Sequence, residues 1–291
     1  MKAESFLQAI RCLPPQTAAI LRSLSNRERA GCEEIRLRAG QPLSIECGGG
    51  ERPLGSHRIT TDELGEVIAR ATDYSVHTFT DSLKQGFLTI AGGHRLGVCG
   101  TAVMQQGEIS TFRHVSSVNL RIARQIKGAA GERLYEAVHV GGGIRSTLIL
   151  SPPGRGKTTL LRDLTRQLSD SGLRMGVADE RCELSGMYRG MPQFDLGTHT
   201  DIIDSCPKAQ AAMMLVKTMS PKAVVLDEIT TEQDARAIQY ACHCGAAVLA
   251  TAHALDFEDF SARPLYRSVL DMKVFECIAV IGHERQVRLI Q

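Results

Sequence analysis

The chain has 291 residues, 43% of them hydrophobic, so it is long enough for one large domain or two ordinary domains with buried cores. Its 34 basic and 32 acidic side chains leave a formal net charge of +2, Trp is absent, and only 4% of the residues are aromatic. A strongly basic or base-stacking surface is therefore not indicated, and we expect no nucleic-acid partner.

The distribution of cysteines and of apolar residues indicates in which cellular compartment the protein is expected. Nine cysteines, an odd number, are scattered through apparent strands and helices, which is typical of reduced thiols in a cytosolic protein. No run approaches the roughly 18 apolar residues of a membrane span. The N-terminus carries Lys2, Glu4 and Arg11 where a signal peptide needs an apolar core. We expect a cytoplasmic protein whose association with a membrane is peripheral.

The first part of the chain predicts short helices followed by strands. Residues 1–24 pattern as two helices split at Pro14-Pro15. Residues 33–38 alternate as a half-buried strand, and a turn leads to a second strand at 43–47, which the glycines after it end. Thr60 and Glu63 have the spacing of a capping box, which predicts a helix running to about residue 71.

A hairpin completes this part of the chain. Residues 87–90 and 95–103 predict two strands joined across a glycine-containing turn. Residues 116–126 read as a connection. We therefore place a small α+β domain with its linker at 1–126.

From about residue 127 the pattern changes to alternating helices and buried strands, which indicates a parallel sheet with crossover helices. Residues 127–291 are predicted as this second domain, and 273–281 with 285–290 as its terminal hairpin about Gly282-His283. Strands are expected near 147–150, 175–178, 223–227 and 246–250, and helices near 157–170, 208–219, 231–244 and 264–270.

A phosphate-binding loop joins the first of these strands to its helix. Its glycines let backbone N–H groups turn toward a phosphate, and the following helix N-terminus favours negative charge. Lys157 would contact the β and γ oxygens of ATP, and Thr158 would offer its hydroxyl to Mg²⁺. The expected nucleotide-binding residues are Ser151, Pro152, Pro153, Gly154, Arg155, Gly156, Lys157, Thr158 and Thr159.

The loop departs from the usual pattern at its first position, where Ser151 stands in place of glycine. Serine requires a negative φ there. Because the last three residues of the pattern carry the phosphate and metal contacts, we expect an altered turn with nucleotide binding retained.

A second motif follows about seventy residues later. Residues 223–226 read as a buried strand that delivers Asp227 and Glu228 to its carboxyl end, where ligands of open α/β sheets bind. Asp227 would hold Mg²⁺, and Glu228 would polarise the attacking water. The pair favours a hydrolysing ATPase over a signalling GTPase, and the guanine-reading NKxD tetrapeptide is absent from the sequence. The alternative is an Asp-Glu pair that caps the helix starting near Thr230.

Two further strand ends carry polar residues. Asp179 and Glu180 follow strand 175–178, expected beside the phosphate-loop strand, where they could tune the attacking water; a salt-bridged loop is equally open. His253 follows strand 246–250, from which it could sense the γ-phosphate. Its alternative is a surface histidine beside a capped helix.

The chain resembles the stage III sporulation protein AA family, relatives of the type II and type IV secretion and pilus-retraction ATPases. The resemblance is carried by SPPGRGKTT (151–159), ADERCEL (178–184), DIIDSCPKAQAAMMLVKTMSP (201–221), VVLDEI (224–229), ATAHA (250–254) and, less specifically, EEIRLRAGQPL (33–43). It implies an α/β fold: a P-loop NTPase core of the RecA-like, additional-strand catalytic-glutamate kind with a smaller N-terminal α+β domain.

The same resemblance implies roles for individual residues. Asp179 and Glu180 would lie in the family's acidic box and His253 in its histidine box. Arg95 or Arg121 would be the arginine that reaches a nucleotide.

The resemblance also implies a homo-oligomer, a hexamer, that uses ATP and Mg²⁺ beside membrane channel proteins at the cytoplasmic face, on the mother-cell side during sporulation. Two other functions stay open from the residues alone. One is a nucleic-acid motor or recombinase-like ATPase, and the other is an assembly scaffold that binds ATP with little turnover.

Overall fold

The computed structural model describes residues 2–74, 86–105, 107–282 and 286–290. It divides into two compact units. The first comprises Met1–Arg124 together with Gly186–Gln193, and the second comprises Gln125–Ser185 and Phe194–Gln291.

Three of the helices of the first unit start at a proline or at a capping box. The helices are α1 (Lys2–Ala9), followed by a 3₁₀ turn (Ile10–Cys12), α2 (Pro15–Arg22), α3 (Asn26–Gly31) and α4 (Thr61–Ala71). Pro15 occupies the first turn of α2, where its missing N–H costs no hydrogen bond. The predicted capping box of Thr60 and Glu63 is confirmed at the start of α4. A second box, Ser25 with Glu28, starts α3, which was not predicted.

A six-stranded antiparallel sheet forms the rest of the first unit. Its strands are β1 (Cys32–Arg38), β2 (Pro42–Cys47), β3 (Gly50–Arg58), β4 (Phe87–Ile90), β5 (His94–Gln105) and β6 (Glu108–Arg121), in the order β3-β2-β1-β6-β5-β4. Ile35 and Leu37 of β1 are fully buried, as the alternation predicted.

One prediction for this unit was wrong. Residues 116–121 are not part of a connection, since they end β6, which lies between β1 and β5. There Leu120 pairs with Ile35 and Val118 with Leu37, and these two apolar residues are buried although their neighbours along the strand are polar. The glycines after Cys47 end β2 as predicted, and Gly48 and Gly49 adopt positive φ and turn the chain into β3, a strand that was not predicted.

The second unit is built on a seven-stranded sheet. Its strands are β9 (Thr147–Ser151), β10 (Met175–Asp179), β11 (Thr200–Asp204), β12 (Ala223–Leu226), β13 (Ala247–His253), β14 (Cys277–Ile281) and β15 (Val287–Ile290), preceded by a two-stranded ribbon of β7 (His139–Val140) and β8 (Gly143–Ile144). The order is β11-β10-β12-β13-β9-β14-β15, and only β15 runs antiparallel to its neighbour. The predicted terminal hairpin forms, but its first strand begins at Cys277, and His283 lies outside the described residues.

Helices cover both faces of this sheet. They are α5 (Gly131–Val138), α6 (Lys157–Asp170), α7 (Lys208–Met219), α8 (Glu232–His243), α9 (Phe257–Ala262) and α10 (Pro264–Asp271). Leu148 and Leu150 of β9 pack in one core with residues of α7 and α8, whereas Ile149 packs in the other with residues of α5 and α6. Burial on both faces explains why these strands read as continuous apolar runs. None of the helices in the described ranges has both the length and the apolar character needed to cross a membrane.

The order of the sheet corrects one expectation. The strand that carries Asp179, β10, was predicted beside the phosphate-loop strand β9. Instead β12 and β13 lie between them. Buried parallel strands share one local apolar pattern, so that pattern does not encode which strands are neighbours.

Candidate active site

The predicted motifs of the second unit meet at one edge of its sheet. Strands β10, β12, β13 and β9 run parallel and in this order, so their carboxyl ends lie side by side. Ser151, the last residue of β9, pairs with His253, the last residue of β13. Asp227 and Glu228 follow β12 directly. Edges of this kind are where ligands bind in parallel α/β sheets.

The phosphate loop has the backbone that anion binding requires. Gly154 and Gly156 adopt left-handed φ of 73° and 97°, and Gly156 is the N-cap of α6. A Cβ at either glycine would meet no atom within 4 Å, so it is backbone conformation rather than crowding that demands glycine. Ser151 is an ordinary strand residue, and its hydroxyl donates to the Pro152 carbonyl at 2.8 Å. The departure from glycine at this position therefore leaves the loop intact.

Lys157, the first residue of α6, is only 7% exposed. Its ammonium group donates to the Ser151 carbonyl oxygen at 3.3 Å and lies 2.7 Å from His253 Nδ1. Burial lowers the pKa of Lys157, while the carboxylates of Asp227 and Glu228 oppose that shift. The Lys157 ammonium group is thus held between Ser151, where the phosphate loop starts, and His253 at the end of β13.

Two threonine hydroxyls contact the carboxylate of Asp227. Thr158 Oγ1 donates to Asp227 Oδ2 at 2.7 Å, and Thr251 Oγ1 donates to Oδ1 at 2.6 Å. A hydroxyl and a carboxylate at this spacing are oxygen ligands of the kind Mg²⁺ prefers. The residues therefore fit the cation that the phosphate loop implies.

Glu228 has an unusual backbone and a partner on β13. Its φ is 57°, and its N–H donates to Thr251 Oγ1 at 2.8 Å. Its carboxylate Oε1 lies 3.2 Å from His253 Nε2. His253 therefore contacts Lys157 through one ring nitrogen and Glu228 through the other, which is not the arrangement of an isolated surface histidine.

The helix after this motif is capped by other residues. Thr231 is the N-cap of α8 and forms a capping box with Asp234. The alternative in which Asp227 and Glu228 cap the helix is therefore wrong.

Asp179 points into its own loop. It is 2% exposed and accepts hydrogen bonds from the N–H groups of Glu183, Leu184 and Ser185 and from the Ser185 hydroxyl, at 2.6–3.1 Å. Burial raises the pKa of Asp179, and the bonds from Ser185 and Leu184 oppose the rise.

Glu180 pairs with a lysine that the sequence analysis did not single out. Lys208 Nζ lies 3.3 Å from Glu180 Oε2, 3.4 Å from Thr230 Oγ1 and 3.7 Å from Asp234 Oδ2. The structure confirms that a salt bridge forms in this loop. One cleft is lined by Asp179, Glu180, Lys208, Asp227, Glu228 and Thr230. Lys208 lies in the 201–221 stretch that carries the resemblance and starts a helix directly after Pro207, but neither signal indicated its partners.

The two candidate arginines belong to the first unit. Arg95 on β5 and Arg121 on β6 are register partners. The Arg95 guanidinium lies over the Phe87 ring, 3.6 Å from its centroid, and Arg121 Nε lies 3.3 Å from Glu34 Oε1. Arg155 and Thr159, at the phosphate loop of the second unit, are partly exposed.

The fold is shared with solved ATPases. The ATPase DotB of Legionella pneumophila superimposes with a TM-score of 0.63 at 17% identity, covering 95% of this chain and 79% of that one. DotB of Yersinia pseudotuberculosis gives 0.58 at 13% identity, covering 89% and 74%. The predicted fold class is confirmed: an α/β P-loop NTPase core accompanied by a smaller α+β unit, with the additional strand β13 between β9 and β12.

Sequence comparison gives the family. The profile described as sporulation stage III, protein AA, matches residues 3–291. Stage III sporulation protein AA of Bacillus subtilis (strain 168) is 35% identical over 270 residues, which cover 91% of this chain and 87% of that protein. Protein SEEDLING PLASTID DEVELOPMENT 1 of Arabidopsis thaliana is 29% identical over 234 residues, covering 79% of this chain and 31% of that protein. The chain belongs to the sporulation stage III protein AA family, which confirms the resemblance.

Proposed function

We propose that this chain is a Mg²⁺-dependent ATPase that works as a homo-oligomer and energises a membrane channel or assembly during sporulation. One observation carries the enzymatic part. Thr158 of the phosphate loop and Asp227 of the second motif share a hydrogen bond of 2.7 Å at the strand edge where Lys157, His253 and Glu228 also meet.

The binding half of the proposal assigns a task to each of three residues. Lys157 supplies the positive charge for the β- and γ-phosphates, at a loop whose N–H groups open toward an anion. Thr158 and Asp227 would hold Mg²⁺. When bound, the metal ion would neutralise charge on the phosphoryl group being transferred.

The chemical half assigns Glu228 as the base that orients the attacking water. A base needs a carboxylate that stays in place, and His253 supplies a contact at 3.2 Å. The tautomer with its proton on Nε2 donates to Glu228 and accepts from the Lys157 ammonium on Nδ1, so it satisfies both contacts. We infer that His253, by contacting both side chains, couples a movement of the phosphate-binding Lys157 to a movement of the base Glu228.

Family membership supports the remaining part of the proposal. We place the protein, as a hexamer, against channel proteins at the cytoplasmic face of a membrane in the mother cell. An arginine from one subunit, Arg95 or Arg121, would complete the nucleotide site of another.

Replacement of the phosphate-loop lysine tests the ATPase. We expect wild-type protein to hydrolyse ATP with Mg²⁺ and not with EDTA. Lys157→Ala should abolish hydrolysis and most ATP affinity, because it deletes the charge that faces the phosphates. Lys222→Ala, an exposed lysine before β12, is the matched control and should behave as wild type. Equal turnover in Lys157→Ala would refute the site.

The same assay separates the other functions. Stimulation of hydrolysis by DNA or RNA would indicate a nucleic-acid motor. Tight ATP binding with negligible turnover would indicate an assembly scaffold.

Subunit mixing tests the shared site. The mass of the protein should rise to that of a hexamer with a non-hydrolysable ATP analogue. Arg121→Ala should lower turnover of the assembled protein by about 10³-fold or more. Mixing it with Lys157→Ala subunits should restore activity, because each variant supplies what the other lacks. Arg113→Ala, an exposed arginine of the same strand, is the control. If neither Arg121→Ala nor Arg95→Ala changes turnover, these arginines do not act across subunits.

A further inference from the structure

Thr251 contacts three consecutive residues of the neighbouring strand end. It lies on β13, two residues before His253, and is fully buried. Its hydroxyl contacts the Asp227 carboxylate and the Glu228 N–H, and its carbonyl oxygen accepts from the Ile229 N–H at 2.8 Å. One residue thus contacts the whole Asp227–Ile229 segment.

The direction of each hydrogen bond follows from the chemistry of the groups. A hydroxyl has one proton to donate and lone pairs to accept. The backbone N–H of Glu228 can only donate, at 2.8 Å, so the hydroxyl oxygen accepts from it. The hydroxyl proton is then committed to Asp227 Oδ1 at 2.6 Å, a short bond typical of a charged acceptor.

Both carboxylate groups of the motif depend on this arrangement. Asp227 has Oδ1 on Thr251 and Oδ2 on Thr158, so the plane of its carboxylate is fixed by one bond on each side. Glu228 adopts a φ of 57°, a conformation that residues with a Cβ seldom take. The N–H bonds of Glu228 and Ile229 to Thr251 hold the backbone in that conformation on both sides of the Glu228 Cα.

We propose that Thr251 is a positioning residue for ATP hydrolysis. Its hydroxyl orients the Asp227 carboxylate, which would hold Mg²⁺, and fixes the backbone from which Glu228 reaches His253. The inference rests on the proposed function, because it names the group that aligns the two carboxylates of that site.

A series of substitutions at this position tests the hydroxyl. Thr251→Val replaces the hydroxyl with a methyl group, whereas Thr251→Ser keeps the hydroxyl. We expect Thr251→Val to lower kcat and the affinity for Mg²⁺ about 10–100-fold, the range typical of groups that orient metal ligands. ATP affinity in EDTA should be unchanged, and Thr251→Ser should recover most of both losses.

Two further variants control for folding. Thr147→Val, at the amino end of β9, removes another fully buried threonine hydroxyl, which donates to the Arg145 carbonyl oxygen. Thr147→Val should lower the melting temperature by an amount comparable to that for Thr251→Val, and it should leave the Mg²⁺ dependence of ATP binding and hydrolysis unchanged. If Thr251→Val does not fold, Thr251→Ala and Thr251→Ser make the same comparison, because they differ by the hydroxyl alone.

The outcomes distinguish the inference from the proposed function. Wild-type kcat and Mg²⁺ response in Thr251→Val would overturn the inference, as would equal losses in the valine and serine variants. If wild-type protein binds ATP but does not hydrolyse it, the proposed hydrolysis fails, and the Mg²⁺ dependence of ATP binding in the two variants still decides the role of Thr251. If wild-type protein binds no ATP, both proposals fall.

Discussion

Two Asp-Glu pairs lie at the carboxyl ends of neighbouring strands of the second unit and have different surroundings. Asp179 is the last residue of β10 and precedes Glu180, Asp227-Glu228 follows β12, and the two strands are hydrogen-bonded in parallel. The carboxylate of Asp179 accepts four hydrogen bonds, all from residues 183–185 of the loop that follows it. Asp227 accepts from two threonine hydroxyls that belong to other elements.

This difference shows that partners, rather than the dipeptide, set the role of a strand-end carboxylate. Backbone N–H groups are fixed donors, so both carboxylate oxygens of Asp179 are taken up by hydrogen bonds from the loop, and these bonds fix the conformation of the loop. The hydroxyl of Thr158 can instead turn its proton away from Asp227 and present a lone pair to a metal ion. The two glutamates also differ in their partners, because Glu180 pairs with Lys208 whereas Glu228 pairs with His253.

The largest expected effect is on catalysis at the second pair. Glu228→Gln keeps the size of the side chain but removes the charge that draws a proton from water, so turnover should fall about 10²–10⁴-fold with ATP affinity retained. Asp227→Asn should instead weaken the Mg²⁺-dependent part of ATP affinity as well as turnover. Titrating ATP binding and hydrolysis of both variants with Mg²⁺ measures the contrast. Normal turnover in Glu228→Gln would remove it as the base.

The next effect is on stability at the first pair. Asp179→Ala leaves three N–H groups and a hydroxyl of a buried loop without their acceptor, and should lower the free energy of unfolding by about 3 kcal/mol. Urea unfolding followed by circular dichroism measures it. Asp170→Ala removes a half-exposed partner of Arg166 and should cost less than about 1 kcal/mol. Equal effects of the two variants would contradict the structural role of Asp179.

The smallest effect is expected at Glu180. Its side chain is 40% exposed and meets Lys208 at 3.3 Å, so Glu180→Gln should change the free energy of unfolding by less than about 1 kcal/mol. Turnover should stay near that of wild type. A loss of turnover as large as that of Glu228→Gln would break the comparison, because the first pair would then hold the catalytic carboxylate.

The sequence could predict the features that depend on residues close together in the chain, but not those that depend on contacts between distant segments. Lys157, Thr158 and Asp227 were found because each lies in a short motif next to an apolar strand. Thr251 and Lys208 lie within segments that carry the family resemblance, but neither was assigned a role, because their contacts come from pairing and crossover between segments far apart in the chain. The position of β10 in the sheet was missed for the same reason, since hydrogen bonding between distant strands decides it. In the first unit, the end of β6 from residue 116 was mistaken for a connection because Ser and Asn alternate with its buried residues.

The left-handed backbone of Glu228 has a consequence for engineering. A residue with a Cβ held in this conformation costs roughly 1 kcal/mol or more of strain, which glycine would relieve. A laboratory selection for heat resistance alone would therefore favour glycine at position 228. The variants it returned would be more durable proteins that had lost the carboxylate assigned to hydrolysis, so thermal tolerance and turnover must be selected together at this position.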